Sequence, residues 1–570
     1  MLSNYYQNEL NSLRNLADEF ARRNPALAPM LGAEKASDPD VERLLEGVAF
    51  LTSIIHQRLD NEFPEFIQTL THLLYPQFLK PIPCMSVLQF KSRSALQSVV
   101  QIEKGCEVAS VPVEGYRIPF RTVLPVALEP VDITKIYWDK DNIQQKQMVV
   151  ELKFSQPDIN AWEADALQFF LGDGQVEACL LLRLLSLNLK EIVFESENAP
   201  SKTLGPQHLK HLGFDNSFSL LPCSDESFPA YRQLLEYFTF PEKFLFLELN
   251  GIKEWTKRGA CSTFNIRFIF DTIPAWAPEL TGNSLMLGVT PVVNVYKQGA
   301  HPLYIDHTQP EYRIQPPGLG KGYHAWIYSV LNVTRLMSDG SEKKLLPFNV
   351  FSEDESYNLN IQPSIMNSRE YDIYLGLMNF EDDLSPSTLS IDLLCTNGTL
   401  PEVLNQGDIN LPMDNTPSRV VFKNIRLVSN CQQPKYDTHL LWTVLSQINA
   451  NHFRLLDSDY LKNLLKLYVP YSKKDKTGAS HQHIESIEKI ESYQERRFVR
   501  GLPIDGTIIK LFCNGDNFVN AGDLYLFGCI LDSLFSNCAA VNSFVELVIY
   551  NTLNSEVIIW PAKFGNQQLL

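Results

Sequence analysis

The sequence predicts an α+β, multi-domain chain, with an N-terminal helical region followed by β-rich domains that carry short helical insertions. Three observations lead there. The chain has 570 residues, more than one hydrophobic core accommodates. Its first eighty or so residues repeat apolar positions at helical spacing, and from Ser86 the texture becomes mostly strand. Hydrophobic residues at 45% and charged residues at 20% are the values of a folded globular protein. The changes of texture divide the chain into four parts: 1–85 helical, 86–225 β-rich with an α+β insertion, 226–440 central and β-rich, and 441–570 α+β.

In the first part, Tyr6, Leu10, Leu13, Ala17 and Phe20 keep helical spacing until Pro25 and Pro29 end the pattern. Asp38 suits an N-cap, Pro39 the first helical position, and Asp40 the positive end of the helix dipole. Val41, Leu44, Leu45, Val48, Leu51, Ile55 and Leu59 then form one stripe over about five turns. A shorter helix is expected over 65–74, and Pro76, Pro81 and Pro83 close the region. So long a stripe exceeds what a short two- or three-helix unit buries within itself. Val41, Leu45, Val48 and Ile55, or their neighbours, are therefore expected to touch another subunit; a helical bundle closed within the chain is the alternative.

Beyond the prolines, SVLQF, FRTVLPVAL and MVVELKF have strand character. LQFFLGDGQVEACLLLRLLSLNLKEIVFES reads as strand, Gly-Asp-Gly turn, helix and strand. Without the Lys-Ser/Thr of a phosphate loop, that glycine pair marks a plain turn. LLEYFTFPEKFLFLEL, residues 234–249, places five aromatic rings around one proline. Tyr231, Leu234, Leu235 and Phe238 share a helix face, Pro241 stops the helix, and Phe244 to Leu249 is an apolar run. The stretch predicts a helix, a sharp corner and a buried strand: core rather than pocket, with no obvious acid–base pair. Strands follow in TFNIRFIFD, PVVNVYKQGAHPLYID and AWIYSVLNV, with an exposed Pro/Gly-rich loop at 309–322 and a turn at Asn397-Gly398. Residues 439–468 read as helical, with Asp457 or Ser458 capping the second piece, and 472–483 as a polar loop. GTIIKLFC, DLYLFGCILDSLFSNCAAVNSF, VELVIY and EVIIWP close the chain as strand, helix, strand and strand.

A net charge of −17 argues against a broad nucleic-acid footprint. The ten cysteines form no CxxC pair, which suits core fillers in a reducing compartment rather than zinc ligands or a disulfide framework. The N-terminus lacks a basic region followed by an apolar one, and the greasiest helix, ACLLLRLLSLNL, is interrupted by Arg183 and too short to span a bilayer. A soluble cytoplasmic protein is expected. No GxSxG, HExxH, GxxxxGK[ST] or GxGxxG occurs. His481 and His483 lie in a polar loop without ligand-spaced partners, and the acid pairs Asp354-Glu355 and Asp382-Asp383 read as solvated. No catalytic, cofactor or metal residue is assigned; the chemistry points to binding.

Taken in order, these segments resemble the TssF family of type VI secretion baseplate proteins. The likeness lies in YYQNELNSLRNLADEFARRNPALAPML, DPDVERLLEGVAFLTSIIHQRLDNEFP, LLYPQFLKPIP, FRTVLPVALEPVDI, YRQLLEYFTFPEKFLFLELNGI, PVVNVYKQGAHPL and LLCTNGTLPEVL. It extends to the ending, GDLYLFGCILDSLFSNCAAVNSFVEL and IIWPAKFGNQQLL, and so covers nearly the whole chain. Departures fall at Asn294-Val295-Tyr296, where the family tends to NLF, at Gly398, where it has a basic residue, and at the spacing of Arg500-Gly501. They bear on strand detail. The resemblance implies a cytoplasmic scaffold that hydrolyses nothing and needs no cofactor. It implies two TssF copies with one TssG, completed by TssE and TssK into a wedge, six of which surround the spike and start the tube and contractile sheath. Two rivals are a β-rich module recognising carbohydrate or a receptor, and a hydrolase without a familiar motif.

Overall fold

The computed structural model describes residues 80–570 except 94–95, 97, 140–146, 198, 216, 223–228, 319–324, 338–339, 349–354, 365–370, 379–386, 435–455, 471–477, 500, 540–541 and 566–570; before residue 80 it describes 10, 43, 46–52, 70–71 and 76–79. The chain forms two compact units, Met1–Leu79 with Lys435–Leu445, and Lys80–Pro434 with Ser446–Leu570. In the first, every described residue up to 71 is helical, and Pro76–Leu79 make a 3-10 turn. Residues 80–85, counted in the expected helical region, are not helical: Ile82 bridges Gln432 and Met85 begins a strand, as the prolines at 81 and 83 require; the remaining residues of that region lie outside the described ones.

The second unit is β-rich. A six-stranded antiparallel sheet has the order Ile409–Pro412, Glu107–Ser110, Pro119–Thr122, Val289–Val293, Met85–Ser92, Val420–Asn424. Leu88, Phe90, Phe120, Val292 and Phe422 fill its core. A five-stranded sheet follows the order Ala199–Leu204, Leu189–Ser196, Thr263–Phe270, Gln147–Phe154, Val131–Asp139. In TFNIRFIF every second residue is buried, as a strand covered on one face requires. Trp162 and Trp255 pack against Phe264 at 5.4 and 5.7 Å between ring centres, and the buried guanidinium of Arg258 lies over both indoles. A three-stranded sheet joins Leu209–His211, Phe246–Asn250 and Ala166–Phe170.

The largest sheet runs Tyr296–Gly299, Ser387–Thr396, Trp326–Leu336, Glu342–Pro347, Ser356–Pro363, Tyr371–Met378, Glu311–Arg313, with Leu303–Ile305 also on Ser387–Thr396. Ile305, Val333, Leu345, Leu375 and Ile391 share one core. The expected loop at 309–322 is corrected here: Glu311–Arg313 is a strand. Asn360 and Gln362 amides donate to the Glu311 carboxylate and Arg313 pairs with Asp372 at 2.7 Å, contacts that only the folded partner strands supply. Fully buried Asn294 ties this sheet to the six-stranded one, donating to Pro119 and Asn397 and accepting from Thr396 and the Asn397 backbone N–H.

Five helices are described from end to end: α1 (Gln175–Leu187), α2 (Pro229–Thr239), α3 (Ser458–Tyr468), α4 (Ala479–Glu485) and α5 (Ala521–Asn537). Asp457 caps α3 by accepting from the Asp459 N–H, as expected. The Gly-Asp-Gly segment is a turn entering α1, with the Asp173 carboxylate accepting the Thr281 and Ser284 hydroxyls. The C-terminal sheet orders Ile487–Val499, Leu502–Cys513, Phe544–Asn551 and Val557–Ile559, with Lys563–Phe564 also on Phe544–Asn551. Leu502–Cys513 and Phe544–Asn551 run parallel, and α5 is the crossover between them. It packs on α1 and α2, so the C-terminal sheet is attached to the middle of the chain. Six described cysteines are buried and three half-buried, all of them free thiols; burial pushes Cys395 and Cys513 up to about 12, which keeps them neutral fillers.

Residues 234–249 fold as their sequence predicts: α2, a 3-10 corner at Pro241–Leu245 and the strand Phe246–Asn250. One feature departs from the expected greasy core. Glu236 and Lys243, both fully buried, form an ion pair across the corner. The Glu236 carboxylate also accepts the Leu220 N–H at 2.8 Å, and Lys243 lies 5.3 Å from the ring centres of Phe218 and Phe244.

Three stability outcomes are expected. Glu236→Gln or Lys243→Met leaves one buried ion without its partner and lowers unfolding free energy by about 3–5 kcal/mol in urea titrations. Glu236→Leu combined with Lys243→Met recovers part of that loss, less about 1–3 kcal/mol for the N–H groups left unpaired. At Gly522, an added Cβ would lie 2.3 Å from the Cys179 carbonyl carbon on α1. Although alanine is ordinarily the better helix former, Gly522→Ala lowers stability by roughly 1–3 kcal/mol, because α1 and α5 must separate.

Candidate partner-binding surfaces

Of the four residues assigned to a partner interface, Val48 is described and Val41, Leu45 and Ile55 lie outside the described residues. Residues 46–52 are helical. Val48 is 41% and Leu51 63% exposed, while Ala49 between them is buried. Two large apolar side chains of the stripe, Val48 and Leu51, are thus left uncovered by the described residues.

A second surface was not anticipated. The strands Ile487–Val499 and Leu502–Cys513 form one hairpin, turning at Gly501 with φ +83°. The second strand acquires its parallel neighbour only from Gly506, so the end of the hairpin stands clear of the sheet as a two-stranded ribbon. Gly506 allows this start: a Cβ there would sit 2.3 Å from the Phe544 ring. Arg497 anchors the ribbon's base, bonding Glu495 and Glu546 and covering Phe544 at 4.8 Å; those two carboxylates hold its guanidinium above the ordinary range. At the end, Phe498 is 77% exposed beside an exposed Arg496–Asp505 pair. The sequence reading marks only GTIIKLFC of this hairpin as strand, and local periodicity is blind to where the neighbouring strand begins.

The polar groups that suggest chemistry are spent on joints. His483, placed in a solvated loop by its sequence context, is instead buried in α4; residues 472–477 of that expected loop lie outside the described residues. Gly478 adopts the left-handed conformation that starts α4, and the imidazole stacks on Phe518 at 4.7 Å. Its Nε2 lies 3.0 Å from the Asp523 carboxylate on α5, and its Nδ1 3.2 Å from the Tyr237 hydroxyl on α2. Burial raises Tyr237 well above the usual phenol range, so the hydroxyl stays neutral. The three groups link three helices, and none of them lines the cleft of about 1150 Å³ between the sheets. Glu355, expected to be solvated, pairs with Lys343 at 3.1 Å and approaches fully buried Arg335 at 3.5 Å. Asp354, Asp382 and Asp383 lie outside the described residues. Among the described residues no group of three His, Cys, Asp or Glu could hold a metal ion, and no helix is long and apolar enough to cross a membrane.

The chain is similar over 99% of its length to the type VI secretion system component TssF1 of Pseudomonas aeruginosa, at 25% identity and with 99% of that protein covered. Its fold matches a chain in the TssK-TssF-TssG baseplate subcomplex solved by cryo-electron microscopy with a TM-score of 0.78 and 25% identity, covering 93% of this chain and 99% of that one. It also matches a chain of the baseplate complex from the type VI secretion system with a TM-score of 0.64 and 22% identity, over 100% of both, a likeness of fold alone. The model of the family described as "Type VI secretion system, TssF" matches residues 1–567, and the chain therefore belongs to the TssF family, components of the type VI secretion baseplate.

Proposed function

We propose that this chain is a cytoplasmic scaffold of a baseplate wedge and catalyses no reaction. It holds TssG, a second copy of itself, TssE and TssK, and so seats the spike and the start of tube and sheath. The inner face of the cytoplasmic membrane is reached through those partners. The observation that carries the reading is the match of the whole fold to a chain solved together with TssK and TssG. The interior supports it: the buried ionic and polar groups at the corner and in the α2–α4–α5 cluster bond one another and fix angles between elements. Work of this kind is done by interfaces that hold one assembly state and rearrange in another.

The N-terminal helical region, 1–85, is the element we assign to TssG, through the stripe that includes exposed Val48. Replacing Val48 and Ile55 with Asp puts two charges into an apolar contact, and co-purification with TssG is expected to fall by about tenfold or more. The thermal transition of the second unit stays where it was. Complex recovered in full yield from a normally folded variant rejects this assignment.

A further inference from the structure

The cleft between the sheets has a chemistry opposite to that of the chain. Its rim carries Lys91, Arg93, Lys153 and Lys423, all exposed, and none has an ion pair among the described residues. The acids on the same wall are engaged or opposed. Glu129 accepts the Trp162 indole N–H at 2.9 Å, Asp165 pairs with Lys253 at 3.3 Å, and Asp132 stands across the ladder from Lys153. Arg426, also on the wall, donates to the Gly172 and Asp173 carbonyls. A positive cleft in a chain of net charge −17 is a local concentration of charge with a direction to it.

The backbone of the cleft wall is open as well. Ala166–Phe170 is the edge of its three-stranded sheet. Phe170 exchanges both of its bonds with Met286, 2.9 Å each, so its N–H and C=O point away from the neighbouring strand. In an antiparallel ladder that direction repeats every second residue, so the N–H and C=O of Gln168 and Ala166 point the same way. Both residues line the cleft, and their backbone groups meet no partner among the described residues. An open edge of this kind takes another strand.

We infer that this cleft docks an extended acidic segment of a partner subunit, which pairs its backbone with Ala166 and Gln168 and sets its carboxylates against Lys91, Arg93, Lys153 and Lys423. Edge pairing supplies direction and the cations select sign. The inference is independent of the helical stripe assigned to TssG, and either can fail alone.

The test is a titration of the full-length chain with three fluorescein-labelled probes: the octapeptide EVEVEVEV, its counterpart KVKVKVKV, and a single-stranded oligothymidylate of similar charge. Saturable binding of the acidic peptide is expected, weakened by added salt and absent for the lysine peptide. Lys91→Glu with Lys423→Glu, exposed side chains whose reversal leaves the thermal transition in place, weakens it at least tenfold. EVEPEVEV, which lacks one backbone donor, also binds more weakly than EVEVEVEV. The inference is overturned by absence of saturable binding, by equal affinity in the charge-reversed variant, or by tighter binding of the oligonucleotide than of the acidic peptide.

Discussion

The geometry of the second unit depends on one buried contact, the Glu236–Lys243 ion pair across the corner between α2 and the strand Phe246–Asn250. Removing two ions from water costs several kcal/mol each, and their attraction in the interior offsets this only when the remaining donors and acceptors are matched. Here they are: the same carboxylate takes the Leu220 N–H, and the ammonium is enclosed by the Phe218 and Phe244 rings. An apolar corner of equal volume would bury as much surface, but methyl groups in contact accept many rotations that a charged pair with fixed donors does not. What the pair adds is a single angle between α2 and its strand.

That angle is inherited by everything packed on α2. Gln233 accepts the Ser533 hydroxyl from α5, Tyr231 stacks on Tyr468 of α3 at 5.9 Å, and Tyr237 meets His483 of α4. On the other side of α5, Gly522 lets its backbone rest against Cys179 of α1, and buried Arg183 bonds Glu556 beyond the last long strand. The Tyr237–His483–Asp523 cluster has the connectivity of a catalytic relay, yet its phenol is held neutral by burial and its ring is covered by Phe518. Donor, acceptor and charge are all directed at neighbouring helices. Chains of contacts like this couple the angle at one element to the angles of those packed on it, because packed interiors do not deform continuously.

How much of this is legible in the sequence depends on whether the cause is local. The helix–corner–strand of 234–249, the Gly-Asp-Gly turn, the Asp457 cap and the thiols as core fillers all follow from residues within a few positions of one another. The strand at Glu311–Arg313 does not, because its reason is the far strand Tyr371–Met378. His483 is assigned to solvent by its polar neighbours, and only Phe518, Asp523 and Tyr237, brought from elsewhere in the chain, make it a core residue. The same holds for the pairing of Met85–Ser92 with both Val289–Val293 and Val420–Asn424. Glu236 and Lys243 were within reach: two opposite charges inside an apolar run that is going to be buried have to pair. The surfaces were the least legible, since exposure is decided by which strand stops first, as at Gly506, and no periodicity records that.

The interior and the outside of the molecule use their polar and apolar groups differently. Here the interior polar groups bind one another, while the outside keeps uncovered apolar positions such as Val48, Leu51 and Phe498, and an open strand edge ringed by cations. On a monomer such features invite aggregation, and unpaired edges are blunted where a protein works alone. They are tolerable if they are covered for most of the protein's life, and useful if what covers them can be exchanged. The exposed Arg496–Asp505 pair beside Phe498 shows the compromise, placing charge next to the ring that most needs a partner. Rigid joints between the sheets of the second unit then matter for a specific reason: they fix the position of the Phe498 ribbon relative to the elements packed on α2 and α5, so that each surface is presented in one orientation.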